Sequence, residues 1–401
     1  MLKLSNAQST SLKFLAVFML ISVIFFPNSM YSQVRVKKTA LRKNPTISSR
    51  GISGSPVMTG QINKDLKNCG WFDVKSGGKT DYILKGTLSG SNLKITLYRG
   101  NGSSIFSYTV KANTRQPAIA SRQTVDYILK KQFQVDRLCM SKIAFCAQEK
   151  TALKEIYIAD YDGSNVKKIT NNRSLSVEPD WEPGQRRLVY TMYSKMFTDI
   201  VEYDLASRRS RRLIQFPGLN AGAAVSRDGR YFAVILSKDG TVDLYIKSIN
   251  TKWIKRLSNS DSSESSPCWS PSGGKICFVS DRSRRPDLYV IGARGGKAQK
   301  LPTLGTEAVS PDWSTDNKII YSAKMGRNYA IALLDLNGKE PARIVVNAAG
   351  DWESPSWAPD NRHVVASRTF QGRSDIYVID TWTGKAKRIL AGKIPFSLPS
   401  W

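Results

Sequence analysis

The chain has 401 residues, and 60 Lys plus Arg against 32 Asp plus Glu give it a net charge of +28. Its 41% hydrophobic and 10% aromatic content is too apolar for a disordered tail, and 28 Gly with 17 Pro are too few for collagen-like or low-complexity material. What remains is a folded, strongly basic protein of two or three domains that attracts something anionic: nucleic acid, a membrane surface or an acidic protein.

At the N-terminus, Lys3 and Lys13 precede an apolar run from Phe14 to Phe26, and the small and polar residues Pro27-Asn28-Ser29-Met30-Tyr31-Ser32 follow. This reads as a secretory signal peptide over residues 1–32. The run of 13 residues falls short of the roughly 20 that span a bilayer, so a retained anchor is the weaker alternative. An exported protein seldom meets nucleic acid, and no aromatic interleaving of the kind that stacks bases is present, so the positive charge calls for an envelope or extracellular explanation.

Residues 33–137 form a small domain, in which the stretch from Val34 to Arg137 carries 19 basic and 5 acidic residues. Ser55-Pro56 is an N-cap and first-turn pair, Met58, Ile62 and Leu66 follow at helical spacing, and Gly70 stands where a C-terminal cap would. Asp81 to Gly90, Asn92 to Arg99 and Ile105 to Ala112 predict an antiparallel meander, the last two joined across Gly100-Asn101-Gly102. A second helix is expected from Pro117 to Phe133, burying Val125, Ile128, Leu129 and Phe133. Helices on one face of a small sheet give an α/β sandwich.

The remainder, residues 138–401, is a repeat. Pro179-Asp180-Trp181, Pro267-Cys268-Trp269, Pro311-Asp312-Trp313, Pro355-Ser356-Trp357 and Pro399-Ser400-Trp401 share one pattern, and Ala223-Ala224-Val225 keeps the place without the letters. Consecutive copies are 44 residues apart, which makes six copies. After each come turn formers such as Ser270-Pro271-Ser272-Gly273, then a short apolar strand, then an acid-x-Tyr strand such as Asp243-Leu244-Tyr245 or Asp375-Ile376-Tyr377. A basic strand such as Arg211-Arg212-Leu213 or Lys387-Arg388-Ile389 closes the copy. Four short strands in 44 residues are the pattern of a propeller blade. The fold class is therefore mainly β, a six-bladed β-propeller preceded by a small α/β sandwich domain. The first copy lacks a Pro-x-Trp strand of its own, so the C-terminal strand is expected to pair into it and close the ring, removing an unpaired edge.

Catalysis finds no support. The single His, His363, opens an apolar strand and reads as structural or solvated; no Gly-x-Ser-x-Gly elbow occurs, and about 100 residues outside the propeller could not hold a hydrolase domain. No metal or cofactor is expected: Asp160, Asp162 and Gly163 imitate the start of a calcium loop but lack the bidentate Glu at its twelfth position, so a hairpin turn is the better reading. Cys69, Cys139, Cys146, Cys268 and Cys277 form neither a metal motif nor a disulfide frame; Cys268 and Cys277 flank a hairpin, with buried thiols preferred over a strained bridge. Two basic clusters, Arg208, Arg209, Arg211 and Arg212 in the second blade and Arg282, Arg284 and Arg285 in what reads as the matching loop of the fourth, form either a solvated face or a peripheral contact with an anionic surface.

The order of signal peptide, α/β domain and six Pro-x-Trp blades resembles the TolB family of the Tol-Pal envelope system. The closest stretches are Gln61-Ile62-Asn63-Lys64-Asp65-Leu66 leading into Gly70-Trp71-Phe72, the strand Thr80-Asp81-Tyr82-Ile83-Leu84-Lys85-Gly86, and Ser265-Ser266-Pro267-Cys268-Trp269-Ser270-Pro271. The resemblance implies a non-enzymatic periplasmic scaffold, a monomer within a complex, that serves envelope integrity and cell division. Its propeller would bind a Pal-like peptidoglycan-associated lipoprotein at the channel mouth, through Leu219, Asn220, Gly222, Ser265 and Ser266 and the corresponding Glu178, Glu307 and Glu353. A TolA-like inner-membrane protein would meet the segment freed by signal cleavage, including Val34, Arg35, Val36, Lys37 and Lys38, which is more basic here than in the family. The rival reading is an exported anion-binding protein that attaches to lipid or polysaccharide through its basic N-terminal domain.

Overall fold

The computed structural model describes residues 43–338 and 340–401. The expected signal peptide and the segment Val34, Arg35, Val36, Lys37 and Lys38 lie outside these residues.

The α/β domain is a five-stranded sheet in the order β2-β1-β3-β4-β5, made of β1 (Thr46–Ser53), β2 (Asp73–Lys75), β3 (Tyr82–Ser89), β4 (Asn92–Arg99) and β5 (Ser104–Lys111). The last three form the expected meander. β1 and β2 were not expected; β1 lies parallel to both its neighbours and sends Ile47 into the core. Its sequence, Thr-Ile-Ser-Ser-Arg-Gly-Ile-Ser, is broken at a bulge between Ser49 and Ile52 and so carries no clean period-two signal. Helix α1 (Pro56–Asn68) starts where Ser55 Oγ accepts from the Met58 amide at 3.2 Å. Helix α2 (Pro117–Phe133) buries Val125, Ile128 and Leu129 as expected, while Phe133 is only half-buried and rests on Trp71 and Phe72 at ring distances of 4.8 and 5.5 Å. Met58, Ile62 and Leu66 of α1 meet Leu84, Leu93, Ile95 and Leu97 of the sheet in one core.

Six four-stranded antiparallel sheets follow as propeller blades, each running from an innermost to an outermost strand. The first is composite: Phe396–Ser400 is its innermost strand and pairs with Lys142–Lys150, Phe396 opposite Ala147 and Ser400 opposite Ala144. The apolar cores lie between adjacent blades, as where Ala233, Ile235 and Leu244 of the third blade meet Ile276, Phe278 and Ile291 of the fourth. Each such buried aliphatic or aromatic side chain contributes about 1.5–3 kcal/mol, so the ring is held mainly by contacts that only closure completes.

The repeated letters have two physical roles. In three of the five copies the Trp indole reaches back to the main chain of the preceding blade: Trp269 Nε1 donates to the Ala224 carbonyl at 3.0 Å, Trp357 to Asp312 at 3.1 Å, and Trp181 to Ser400 at 3.3 Å across the ring closure. The residue before Trp reaches forward, Asp312 Oδ2 accepting from the Trp357 amide at 2.7 Å and Ser356 Oγ from the Trp401 amide at 3.1 Å. Within blades, the acid of the third strand pins the base of the outermost: Asp199 to Arg212, Asp243 to Arg256, Asp287 to Lys300 and Asp375 to Arg388. In the fifth blade this place is taken by the apolar residues Ile331 and Ile344. Cys268 and Cys277 are cross-strand partners, and all five cysteines are free and buried.

Candidate functional site

In every blade, the turns after the first and third strands lie on one face of the ring, and the hairpin after the second strand shares the other face with the link into the next blade.

On the first face sits the α/β domain. Arg122 of α2 donates to Asp160 Oδ2 at 2.6 Å, to Asp162 Oδ1 at 3.3 Å and to Ser164 Oγ at 3.0 Å, so the loop that imitates a calcium site is an arginine receptor. Burial works to raise the Asp160 carboxyl, yet hydrogen bonds from Lys142, Arg122 and Asn165 hold it at about 2. Nearby, Tyr161 donates to the fully buried Asp65 at 2.9 Å. A second knot surrounds His363, whose Nδ1 lies 2.6 Å from Asp360 Oδ2, the same carboxylate oxygen that takes the Trp71 indole proton at 2.8 Å. Burial would raise Asp360, but the charge and hydrogen bonds of His363 outweigh it and keep this carboxyl at about 2. Gly70 has φ +71°, and a Cβ there would fall 2.4 Å from His363 Nε2. Arg362 lies 4.1 Å from the Trp382 ring centre, and it donates to Asp380 and to Asn44 Oδ1, both at 2.8 Å. His363 is thus a structural residue of the domain junction.

Arg227 stands in the turn position that Pro183, Pro271 and Pro359 occupy in other blades, and its guanidinium reaches from the third blade to the Trp313 carbonyl of the fifth at 2.8 Å. Asp180, which holds the Val225 amide at 3.0 Å, has its carboxyl pushed up to about 7, chiefly by enclosure in the channel wall, with the charge of Asp312 adding and that of Arg227 opposing. Departure from the repeat at Arg227 was the sequence signal for this crossing.

The opposite face is the open mouth, and the expected binding residues other than Asn220 take three levels on the innermost strands and their approaches. Leu219 and Glu307 share one level, Ser265 and Glu353 the next, and Glu178, Gly222 and Ser266 the third, each set spaced by multiples of 44 residues. The third level is a bulge in every blade, with positive φ at Glu178, Gly222, Ser266, Ser310, Ser354 and Leu398, between +47° and +59°. Glu178 is open to the channel, yet Oε2 is held by the Thr191 hydroxyl and the Gly222 amide, both at 2.9 Å, and its carboxyl is raised by the surrounding walls. Glu307 accepts from Tyr329 at 2.6 Å. Burial raises the Glu353 carboxyl, as does the charge of Asp351.

Asn220 differs from the expectation. It is fully buried, its Oδ1 accepting from the Phe216 amide at 3.0 Å and its Nδ2 donating to the Thr198 and Phe216 carbonyls, both at 2.7 Å. Its side chain shapes the loop and is closed to a partner. Leu219, Gly222, Ser265, Ser266, Glu307 and Glu353 keep partial exposure.

Four residues of this face escaped the sequence reading. Met196 and Phe197 in the second blade, Met325 in the fifth and Phe370 in the sixth project from the second-to-third-strand hairpins and are 80%, 42%, 37% and 40% exposed. A comparison of hairpin tips across the copies was the signal that could have found them. The basic clusters also separate: Arg282, Arg284 and Arg285 belong to this face, whereas Arg208 to Arg212 run from a third-strand turn on the other face along an outermost strand. They therefore do not occupy matching loops. Arg211 and Arg282 are bound by Glu202 and Glu264 at 2.7 and 2.6 Å.

Comparison with known proteins agrees with this architecture. The Tol-Pal system protein TolB of Francisella tularensis subsp. tularensis (strain WY96-3418) is 25% identical over 317 residues, covering 74% of this chain and 71% of the relative. The crystal structure of TolB from Acinetobacter baumannii superposes with a TM-score of 0.79 at 20% identity, covering 90% of this chain and 97% of that one. A putative TolB from Agrobacterium tumefaciens gives 0.50 at 16%, covering 62% and 88%. The family described as the TolB beta propeller domain matches residues 135–401, and the chain belongs to the TolB family.

Proposed function

We propose that this protein is a non-enzymatic periplasmic scaffold of the Tol-Pal system whose open propeller mouth receives a Pal-like peptidoglycan-associated lipoprotein. On this reading the scaffold links the two membranes and supports envelope integrity and cell division. The observation that carries the reading is the asymmetry of the ring. One face carries the α/β domain at its first and sixth blades, and the other presents Met196, Phe197, Met325 and Phe370 around the partly exposed Leu219, Ser265, Ser266, Glu307 and Glu353. Exposed apolar side chains gathered at the edge of a polar concavity are the composition of a protein-docking surface. The leading segment with Val34, Arg35, Val36, Lys37 and Lys38 is assigned to a TolA-like inner-membrane partner by family resemblance.

The test is capture of the purified soluble domain of a Pal-like lipoprotein from the same organism. Saturable binding that persists in moderate salt, weakened by Phe370→Asp and Met196→Asp, is expected. No capture, or capture that disappears as salt rises, would overturn the reading.

A further inference from the structure

The α/β domain carries a cleft lined by β1, β3, β4 and the start of α1, and the mouth does not account for it. Alternation along β3 and β4 sends Leu84, Leu93, Ile95 and Leu97 inward and leaves Lys85, Lys94, Thr96 and Tyr98 on the outer face. The bulge of β1 raises Arg50 beside them, and these strands together with Ser55, Pro56 and Thr59 at the start of α1 line an open cleft of about 960 Å³.

The charge in the cleft is one-signed. Its walls hold Arg50, Lys85 and Lys94 and no Asp or Glu. Lys85 faces Thr96 and Lys94 faces Thr87 in the ladder, so the two ammonium groups are diagonal neighbours with like charges and no carboxylate between them. Of the five carboxylates of this domain, Asp65 and Asp126 are buried, Asp81 holds the Thr46 amide at 2.7 Å, Asp136 pairs with Lys130 at 2.8 Å, and the exposed Asp73 lies outside the cleft. Hydroxyl groups of Ser53, Thr87 and Thr96 line the same walls. An Arg, two Lys and hydroxyl donors in a concave site suit a group with several anionic oxygens, and the space exceeds what a bare phosphate fills.

We propose that this cleft binds a phosphoryl group carried on a polyol, as found in glycerol 3-phosphate or in the headgroup of phosphatidylglycerol. The site is independent of the mouth, so it stands or falls apart from lipoprotein capture.

The experiment uses the mature chain with two probes: glycerol 3-phosphate by titration calorimetry, and vesicles of phosphatidylglycerol against vesicles of phosphatidylcholine by co-flotation. Saturable binding of glycerol 3-phosphate identifies a soluble ligand; selective flotation without it identifies the lipid. The double variant Lys85→Ser, Lys94→Ser should weaken that binding about tenfold or more. A control variant, Lys79→Ser with Arg115→Ser, removes the same charge outside the cleft and should change binding less than about twofold. Arg50→Gln, at an exposed position, provides a second cleft variant should the double variant lose its fold. Absence of binding to both probes, or equal losses in cleft and control variants, would overturn the proposal.

Discussion

At Glu178, Ser266, Ser310, Ser354 and Leu398, a residue that precedes proline adopts positive φ, a place that sterics reserve mainly for glycine. The ring forces it, because the bulge aligns the Pro-x-Trp segment with the next blade; in the copy that lost its proline, Gly222 occupies the position. Ser310→Val should cost about 1–2 kcal/mol in a urea titration, whereas Ser310→Gly should cost nothing or stabilise. Asp180 makes a different prediction. Its carboxyl titrates near 7 when folded and near 3.8 when free, so the unfolded chain gives up this proton first and stability falls as pH rises from about 4 to 7. Asp180→Asn keeps an acceptor for the Val225 amide without the charge, so it should melt above the wild type at pH 8 and level with it at pH 4. Melting curves at the two pH values check this. The Trp register was plain in the sequence, because identical letters recur where identical contacts are made. The positive φ was not, since a residue before proline reads as extended, and neither was the burial of Asn220, which depends on four hydrogen bonds made only in the folded loop.

Among elements, the meander, α1, α2 and the blade strands follow from local pattern, while β1 and β2 depend on parallel pairing that no local period announces. Ring closure is the element whose loss should matter most. Deleting Pro395 to Trp401 removes the innermost strand of the first blade, together with the Trp401 indole bond to Ser141 at 2.6 Å. Insoluble protein or a broad, low-temperature melt is expected; an unchanged melt would contradict a closed ring. At the domain junction, Arg122→Leu removes the guanidinium that bridges Asp160 and Asp162, leaving Asp160 to Lys142 and Asn165 and Asp162 to Ser164, so the loss should fall at or below the about 3–5 kcal/mol typical of breaking a buried pair. Calorimetry should then resolve separate transitions for the α/β domain and the propeller. Asp160 and Asp360 both have depressed carboxyls, so their contribution is complete above about pH 4 and is lost as pH falls through about 2. The wild-type junction should separate in the same way under acid. The residues of this junction come from four distant stretches of chain, which is why the sequence gave His363 and Asp160 only their negative readings.

For the whole molecule, the charge of +28 divides by role. In the propeller many of the basic residues are paired, with one acid-base contact repeated in four of the blades. In the described part of the α/β domain every cation but Arg122 is exposed, and three of them line the cleft without a carboxylate. Two faces of the ring therefore have separate tasks, one fixed to a domain and one open. The resemblance to a scaffold family was legible from domain order and repeat; the apolar edge of the mouth was not, because Met196, Phe197, Met325 and Phe370 sit at hairpin tips where the copies differ. The most direct measurement is titration of the mature chain with the soluble domain of a Pal-like lipoprotein from its own organism, repeated with Phe370→Asp and Met196→Asp. The account predicts one-to-one saturable binding that moderate salt leaves in place and that these variants weaken without lowering the melting temperature. Binding unchanged by both variants, or none at all, would contradict it.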